Sequence, residues 1–410
     1  MTPPTLVLVE SNTTGTGRLF ARRARELGAL PVLLAEDPDR YAYAREDDIP
    51  VVRTDTGSLN AVVAAVRALP GAAPAGLTTS SDYFVPVAAA AAHALRLPGP
   101  DPQAVRRVRH KGSQRADLVA SGVPVAAHAL VSGPEEALSA VDRIGLPVVL
   151  KPTDGSGSMG VRLCTTRQEA AEHAARLLAR THNERGMPVA RDFLVEQYVA
   201  GPEFSVEVFG QRAVAVVAKH LGAAPHFVEI GHDVPAPVPA AEADALAATA
   251  VQAVKALGLG FGAAHVELRL GPDGPVLIEV NARLAGGMIP ELIRAATGVD
   301  LVRAQVTAAL GRPVDLEPRS SHHSSLRFLV VDAPSELGVL PDTGGLPHVT
   351  GTTLTGRLGV RLVPHHDYRD RVAHVTATAP TAEDATRAAE TALARLRTAL
   401  RPHPDEETTV

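Results

Sequence analysis

Residues 148–161 read VVLKPTDGSGSMGV, and what flanks the glycines decides the fold. Val148, Val149 and Leu150 lead into Lys151, and a second β-branched run, Val161-Arg162-Leu163, leaves the loop. The spacing Gly155-x-Gly157-x-x-Gly160 matches a dinucleotide loop, but such a loop must open a helix. Here it joins two strands. A Walker A loop carries its lysine after the glycines, whereas Lys151 precedes them. What remains is a glycine-rich hairpin that folds over phosphates, as the glycine loop of a protein kinase does. Gly155, Ser156, Gly157, Ser158 and Met159 offer backbone N–H groups to an anion. An ordinary mobile hairpin is the alternative.

Lysine usage sharpens this reading. Of 40 basic residues only four are lysines, namely Lys111, Lys151, Lys219 and Lys255. Arginine has taken the other cationic positions. A lysine ammonium is a compact point charge on a flexible stem, which arginine does not imitate at a phosphate. Lys151 therefore reads as a phosphate grip. A helix is expected over 104–121, carrying Lys111 and Arg115 on one face.

The bulk composition excludes several classes. A chain of 410 residues is expected to form two to four domains. A net charge of −5, 3% aromatics and no Trp leave no basic or stacking surface for nucleic acid. Cys164 is the single cysteine, so no intrachain disulfide forms and a reducing cytoplasm is expected. It lies in an apolar run and reads as a buried structural thiol. The N-terminus lacks the pattern of a signal peptide, and no run of 18 apolar residues suggests a membrane span.

Strand and helix patterns alternate through residues 1–100, which argues a small parallel sheet with helices on its faces. Residues 101–195 read as a second α/β unit, and residues 196–314 as a third with several strands and a long helix over 240–257. Within it, 263–270 and 275–280 read as a hairpin about the turn Gly271-Pro272-Asp273-Gly274. Residues 315–410 read as a separate small β-rich domain ending in a helix, and the tail from His403 reads as disordered.

The hairpin carries the most specific constellation. Glu279 and Asn281 are two apart on one strand and share a face. The turn returns Glu267 opposite them, with cross-strand Cβ atoms about 5 Å apart. Two carboxylates and an amide oxygen make a hard, oxygen-only site that suits Mg²⁺ shared with nucleotide phosphates. Carboxylates on apolar strands without such a cation would repel and lose hydration. Arg283 follows on the loop, placed for a carboxylate or a transferring phosphoryl group. Glu203 and Glu207 flank an apolar strand beside a Gly-Pro turn, a place for ribose hydroxyls or for solvated surface. Glu229 and His232 fall in a proline-bounded loop, where a lone histidine is usually exposed or capped. His322-His323 and His365-His366 lack the partners and spacing of a zinc site and read as structural.

In this order the motifs resemble the ATP-grasp superfamily, and within it the L-amino acid ligases and carnosine-synthase-like enzymes. The resemblance covers residues 5 to about 310, and the C-terminal hundred residues also look like the β-rich domain of some of these ligases. It implies an ATP-grasp α/β (α+β) fold: an N-terminal parallel-sheet domain, a flexible lid, a catalytic subdomain and an extra β-rich domain. It implies that Lys111 and Lys151 contact ATP phosphates, that backbone groups from Glu196 to Val199 read the adenine edge, and that Glu203 holds the ribose. Glu267, Glu279 and Asn281 would ligate Mg²⁺, as two ions, with Mn²⁺ an alternative. Arg283 would clamp the acyl phosphate or the substrate carboxylate. The run from Phe227 to Pro235 resembles a substrate loop, which brings Glu229 and His232 forward as alternatives for deprotonating the amine, between which the sequence does not choose. Gly287 departs from relatives that place a bulky residue there, so their dipeptide specificity does not carry over.

The activity implied is an ATP-dependent ligation of a small carboxylic acid to an amine through an acyl phosphate, releasing ADP and phosphate. No nucleic-acid or membrane partner is expected, and a homodimer is the assembly to be tested. A phosphotransferase, a biotin-carboxylase or purine-pathway relative and a non-catalytic nucleotide-binding module are the competing readings.

Overall fold

The computed structural model describes residues 3–12, 16–71 and 73–402. The tail expected to be disordered lies outside them.

The N-terminal unit is a parallel sheet in the spatial order Val51–Arg53, Leu30–Ala35, Thr5–Val9, Gly76–Thr78. Its strands are apolar at successive positions because both faces are covered. Leu6 and Leu8 face one core with Phe20 and Ala24, while Val7 and Val9 face another with Val62, Val66 and Ala91. The strand Thr5–Val9 has a parallel neighbour on each side. The loops leaving the carboxyl ends of Thr5–Val9 and Gly76–Thr78 therefore flank a switch point, where open sheets bind ligands.

The second unit is a four-stranded antiparallel sheet, ordered His128–Val131, Phe193–Gln197, Val148–Pro152, Arg162–Cys164. The helices Pro134–Ile144 and Arg167–Ala179 cover it and close a core of its own with Val141, Val148, Leu150 and Cys164. Thr166 and Glu169 form a reciprocal capping box that starts the second helix. Burial pushes the Cys164 thiol up to about 11, so it stays protonated.

Eight antiparallel strands form the main sheet, in the order Gly274–Asn281, Ala263–Gly271, Glu203–Phe209, Arg212–Leu221, Glu229–Val234, His323–Val330, Arg371–Ala379, Val349–Leu354. Helix Ala240–Ala256 packs Leu246, Ala250 and Val254 against Phe204, Val206, Val266 and Leu268. Truncating a fully buried leucine such as Leu246 to alanine would cost about 2–5 kcal/mol.

Three expectations need correction. The helix expected over 104–121 is two helices, Pro102–Arg109 and Lys111–Ala120. His110 between them has extended backbone (φ −95, ψ 107) and caps the second helix by accepting from the Ser113 N–H. The loop expected at Glu229–His232 is a strand of the main sheet. Residues 315–402 are β-rich and carry the helix Ala382–Arg397 as expected, but strands 323–330, 371–379 and 349–354 extend the main sheet. Only a small three-stranded sheet, Arg361–Leu362, Ser335–Leu337 and Leu400–Pro402, stands apart there. No helix among the described residues is long and apolar enough to cross a membrane.

Candidate active site

Three neighbouring strands of the main sheet alternate with period two. Glu203, Ser205 and Glu207, then His265, Glu267 and Arg269, then Glu279 and Asn281, all stand on one face. The residues between them, such as Phe204, Val206, Val266 and Leu268, form the core on the other. Register places His265 against Asn281 and Glu207, and Glu267 against Glu279 and Ser205. The polar face floors a cleft whose empty space, mouth included, is about 1690 Å³. Its roof is the glycine loop.

Three of the four lysines line this cleft, each less than a tenth exposed; Lys255 lies outside it, exposed on its helix. The break at His110 puts Lys111 at the start of a helix, with its N–H on the Thr153 carbonyl at 3.0 Å. Its ammonium lies 2.9 Å from the Gly155 carbonyl and 3.2 Å from Glu279. Lys151 meets Glu196 at 2.5 Å and donates to the Ile278 carbonyl at 3.2 Å. Arg115 holds the same Glu196 at 2.7 Å. Burial would raise the Glu196 carboxyl, but Arg115 and Lys151 outweigh it and hold it at about 2.

Lys219 is the hub of the floor. Its ammonium touches Glu203 at 2.8 Å, Glu267 at 2.9 Å and Glu229 at 3.0 Å. Burial opposes its charge, but Glu203, Glu267 and Glu229 together hold its pKa well above the ordinary lysine value. His265 bridges Glu207 at 2.7 Å and Glu267 at 3.0 Å. Burial would lower its pKa, yet Glu207 and then Glu267 raise it to about 9.

The glycine loop is held on several sides. The Ser158 hydroxyl donates to the Phe227 carbonyl at 3.0 Å, and the Tyr368 N–H reaches the Gly157 carbonyl at 3.4 Å. Gly157 has φ +64, and a Cβ there would lie 2.5 Å from the Tyr368 ring, so only glycine fits. Met159 is buried, and Gly155, Ser156 and Gly157 line the cleft with it. Between Glu196 and Val199 several backbone groups are already used. Gln197 and Tyr198 donate to the carbonyls of Ala127 and Pro147, and the Val199 carbonyl accepts from Arg269 at 3.0 Å. Arg269 also binds Glu203 at 3.0 Å and lies over the Tyr198 and Phe227 rings.

Arg283 is tethered to Asp82 of the N-terminal unit at 3.0 Å and to the Leu284 carbonyl. Burial would raise Asp82, but Arg109, Arg283 and Lys111 hold it at about 2. Glu229 sits between Lys219 and Arg371, the latter at 2.8 Å, and 3.7 Å from His232. Burial would raise the Glu229 carboxyl, but those cations carry it far below the usual range. His232 is fully buried, and neither ring nitrogen has a hydrogen-bond partner among the described residues. Burial lowers its pKa to about 3. At Gly287, φ is +59 and a Cβ would lie 2.7 Å from His232 Nε2, so a bulky residue there is incompatible with this histidine position.

No group of three or more His, Cys, Asp or Glu side chains is set for a metal among the described residues. Glu267 and Glu279 are two carboxylates, facing each other across the hairpin and each 18% exposed in its side chain, with Asn281 one step along. That donor set fits a hard cation that takes its remaining oxygens from phosphates.

Sequence reasoning missed Lys219, Arg269, Asp82, Arg371 and Tyr368. The scarcity of lysine signals Lys219 as strongly as Lys151, and Arg269 continues the alternation of His265 and Glu267. Asp82, Arg371 and Tyr368 arrive from distant units and carry no local signal.

Residues 144–291 match the model of the ATP-grasp domain, and residues 327–401 that of the L-amino acid ligase C-terminal domain 2. The chain is 34% identical over 404 residues to the uncharacterized protein y4rH of Sinorhizobium fredii, covering 98% of this chain and 84% of that one. It is 30% identical over 324 residues to carnosine synthase 1 of Gallus gallus, covering 74% of this chain and only 35% of that longer protein. The crystal structure of the L-amino acid ligase from Bacillus licheniformis superimposes with a TM-score of 0.81 at 20% identity, covering 98% of this chain and 100% of that one.

Proposed function

The chain belongs to the ATP-grasp superfamily, as an enzyme of the ligase type, and we propose that it joins a small carboxylic acid to an amine in two steps. The acid, an amino acid or a related metabolite, attacks the γ-phosphorus of ATP through a carboxylate oxygen, giving an acyl phosphate and ADP. The amine nitrogen then attacks the acyl carbon, the C–O bond to phosphate breaks, and the nitrogen loses a proton as the amide forms.

The observation that carries this reading is the floor of the cleft. Carboxylates and an amide from adjacent strands face the cleft there, and Lys219 from the next strand, Lys111 from a helix and Lys151 from the second unit line it with them, under a glycine loop. Lys111 beside Glu279 and Lys219 beside Glu267 bracket the paired carboxylates. In this reading the triphosphate runs between them, with Lys151 at its inner end. Glu203 takes the ribose, and the segment from Glu196 to Val199 borders the adenine. Glu267, Glu279 and Asn281 would hold Mg²⁺, which neutralises charge on the transferring phosphoryl group. Lys219 stands where the ribose glutamate, the metal glutamate and Glu229 converge, so it would meet the γ-phosphoryl group. Arg283, steadied by Asp82, faces the acyl phosphate.

His232 and Glu229 act in this scheme by position rather than as bases. A group held at about 3 is a weak proton acceptor at neutral pH. His232 packs behind Gly287, which lines the cleft, while Glu229 between two cations fixes the local charge. Catalysis rests on positioning and charge neutralisation.

A phosphate-release screen over acid and amine pairs tests the proposal. Phosphate and amide appearing together only when both substrates are present is the expected result. Phosphorylated acid or amine as the end product would make the protein a phosphotransferase, and ATP binding without turnover would make it a binding module.

A further inference from the structure

The segment between helix Arg167–Ala179 and strand Phe193–Gln197 forms a tight hairpin over 181–189. The Asn183 N–H donates to the Met187 carbonyl at 2.9 Å, and the Asn183 side-chain oxygen accepts from the N–H groups of Arg185 and Met187 at 2.9 and 3.0 Å. The tip is thus preformed. Its base is tied to the glycine loop: the Ala190 N–H donates to Asp154 at 2.8 Å, and the Thr153 hydroxyl to Asp192 at 2.6 Å. Hairpin and glycine loop are thus tied to each other, and the strands that flank them, Val148–Pro152 and Phe193–Gln197, share a core of their own.

Across the mouth of the cleft the hairpin meets the N-terminal unit at three points. Arg185 donates to the Ser11 carbonyl at 3.2 Å and to the Tyr41 hydroxyl at 3.3 Å. The Tyr83 hydroxyl donates to Glu184 at 2.5 Å. Met187 packs on the core beneath Val62, Val66 and Phe84. The receiving side is cross-linked by hydrogen bonds. Tyr41 is buried and donates to Glu10, which also accepts from the Glu36 N–H and the Thr56 hydroxyl, both at 2.7 Å. Glu10 is held at φ +56, a left-handed conformation that a non-glycine residue keeps only when its surroundings fix it. Glu184 and Arg185 line the same cleft as Ser81 and Asp82.

We infer that hairpin 181–189 is a latch that fastens the glycine-loop unit to the N-terminal sheet, and that Arg185 is the positioning residue that holds it shut over the acyl phosphate. The sealing half of this inference rests on the ligase reading above; the latch itself does not. An acyl phosphate partitions between the amine and water, so a cleft that reopens before the amine attacks loses the intermediate to hydrolysis. Arg185 reaches two acceptors on different elements with one guanidinium. A lysine, whose donors radiate from a single point, does not span them in the same way.

Two measurements on the full chain test it. The first is hydrogen exchange of the peptide covering 181–190, with and without Mg²⁺ and a non-hydrolysable ATP analogue. With the analogue, exchange in Arg185→Met should rise at least about tenfold over wild type, and in Tyr83→Phe, which loses only the hydroxyl contact to Glu184, by less. Equal exchange in all three proteins would remove the latch. The second is the ratio of ADP to amide with an active substrate pair. Wild type should stay near one ADP per amide. Arg185→Met and Arg185→Lys should release several ADP per amide, with ADP formation itself persisting. A ratio unchanged in Arg185→Met despite faster exchange would overturn the sealing role. A wild type that makes no amide with any pair would refute the ligase reading, and the exchange experiment alone would then decide the latch.

Discussion

Replacing Lys219 by methionine removes the ammonium that three glutamates share. Its distances to Glu203, Glu267 and Glu229 are 2.8, 2.9 and 3.0 Å, and its side chain is 3% exposed. Leaving a buried charge without its partner costs about 3–5 kcal/mol, a large part of the roughly 5–15 kcal/mol that holds a typical protein folded. The carboxylates then face one another with less counter-charge, and at least one should take up a proton. That gives the loss a pH signature. A glutamate whose folded pKa is raised above its unfolded value stabilises fully below the unfolded pKa, and this contribution is lost as pH rises through the folded pKa. For a rise of about two units the variant should lose about 3 kcal/mol between about pH 4.5 and about pH 7.5. In the wild type Glu229 and Glu267 are held low by Lys219, so these two carboxylates bring no such loss over that window. Urea unfolding followed by far-ultraviolet circular dichroism at several pH values measures the difference. A Lys219→Met deficit under about 1 kcal/mol, or one that does not grow with pH, would refute the idea that Lys219 organises the charge of the cleft.

Three further outcomes follow from the same geometry. Lys151→Arg should lose ATP-dependent phosphate release almost as fully as Lys151→Met, with the fold retained because Arg115 still holds Glu196; near-normal release in the arginine variant would remove the point-charge argument. Glu279→Gln should raise the Mg²⁺ concentration for half-maximal rate at least about tenfold, roughly 1.4 kcal/mol, and an unchanged titration would make the paired carboxylates structural. Arg283→Ala should leave ATP affinity by calorimetry within about threefold, under roughly 1 kcal/mol, while turnover falls about a hundredfold; lost ATP affinity with turnover preserved would place Arg283 on the nucleotide.

Much of this architecture is legible in the sequence where local pattern and tertiary environment agree. The parallel strands at 6–9 and 30–35 are apolar throughout because both faces are covered. The hairpin at 263–281 announces its turn, but the register set there would pair Glu267 with Ile278; a bulge between Glu267 and Leu268 brings Glu267 opposite Glu279. Legibility ends where a residue's partner lies far along the chain. Strand Glu229–Val234 looks like a loop because glutamate, histidine and aspartate interrupt it, yet Asp233 is paired with Arg327 at 2.8 Å and Glu229 with Lys219 and Arg371. The break at His110 is equally hidden, since nothing in Arg109-His110-Lys111 forbids a helix; it is fixed by the Lys111 N–H reaching Thr153. The continuation of the main sheet into strands 323–330 and 371–379 is a long-range pairing that periodicity alone does not encode.

Once an active acid and amine pair is known, transfer of ¹⁸O from a labelled carboxylate tests the central claim most directly. If the acid attacks ATP to form an acyl phosphate and the amine then displaces phosphate, a carboxylate oxygen must leave with the phosphate. Mass spectrometry of the released phosphate should find a labelled oxygen for each amide formed. Amide formed alongside unlabelled phosphate would contradict the acyl-phosphate route and with it the roles assigned here to Lys219 and Arg283.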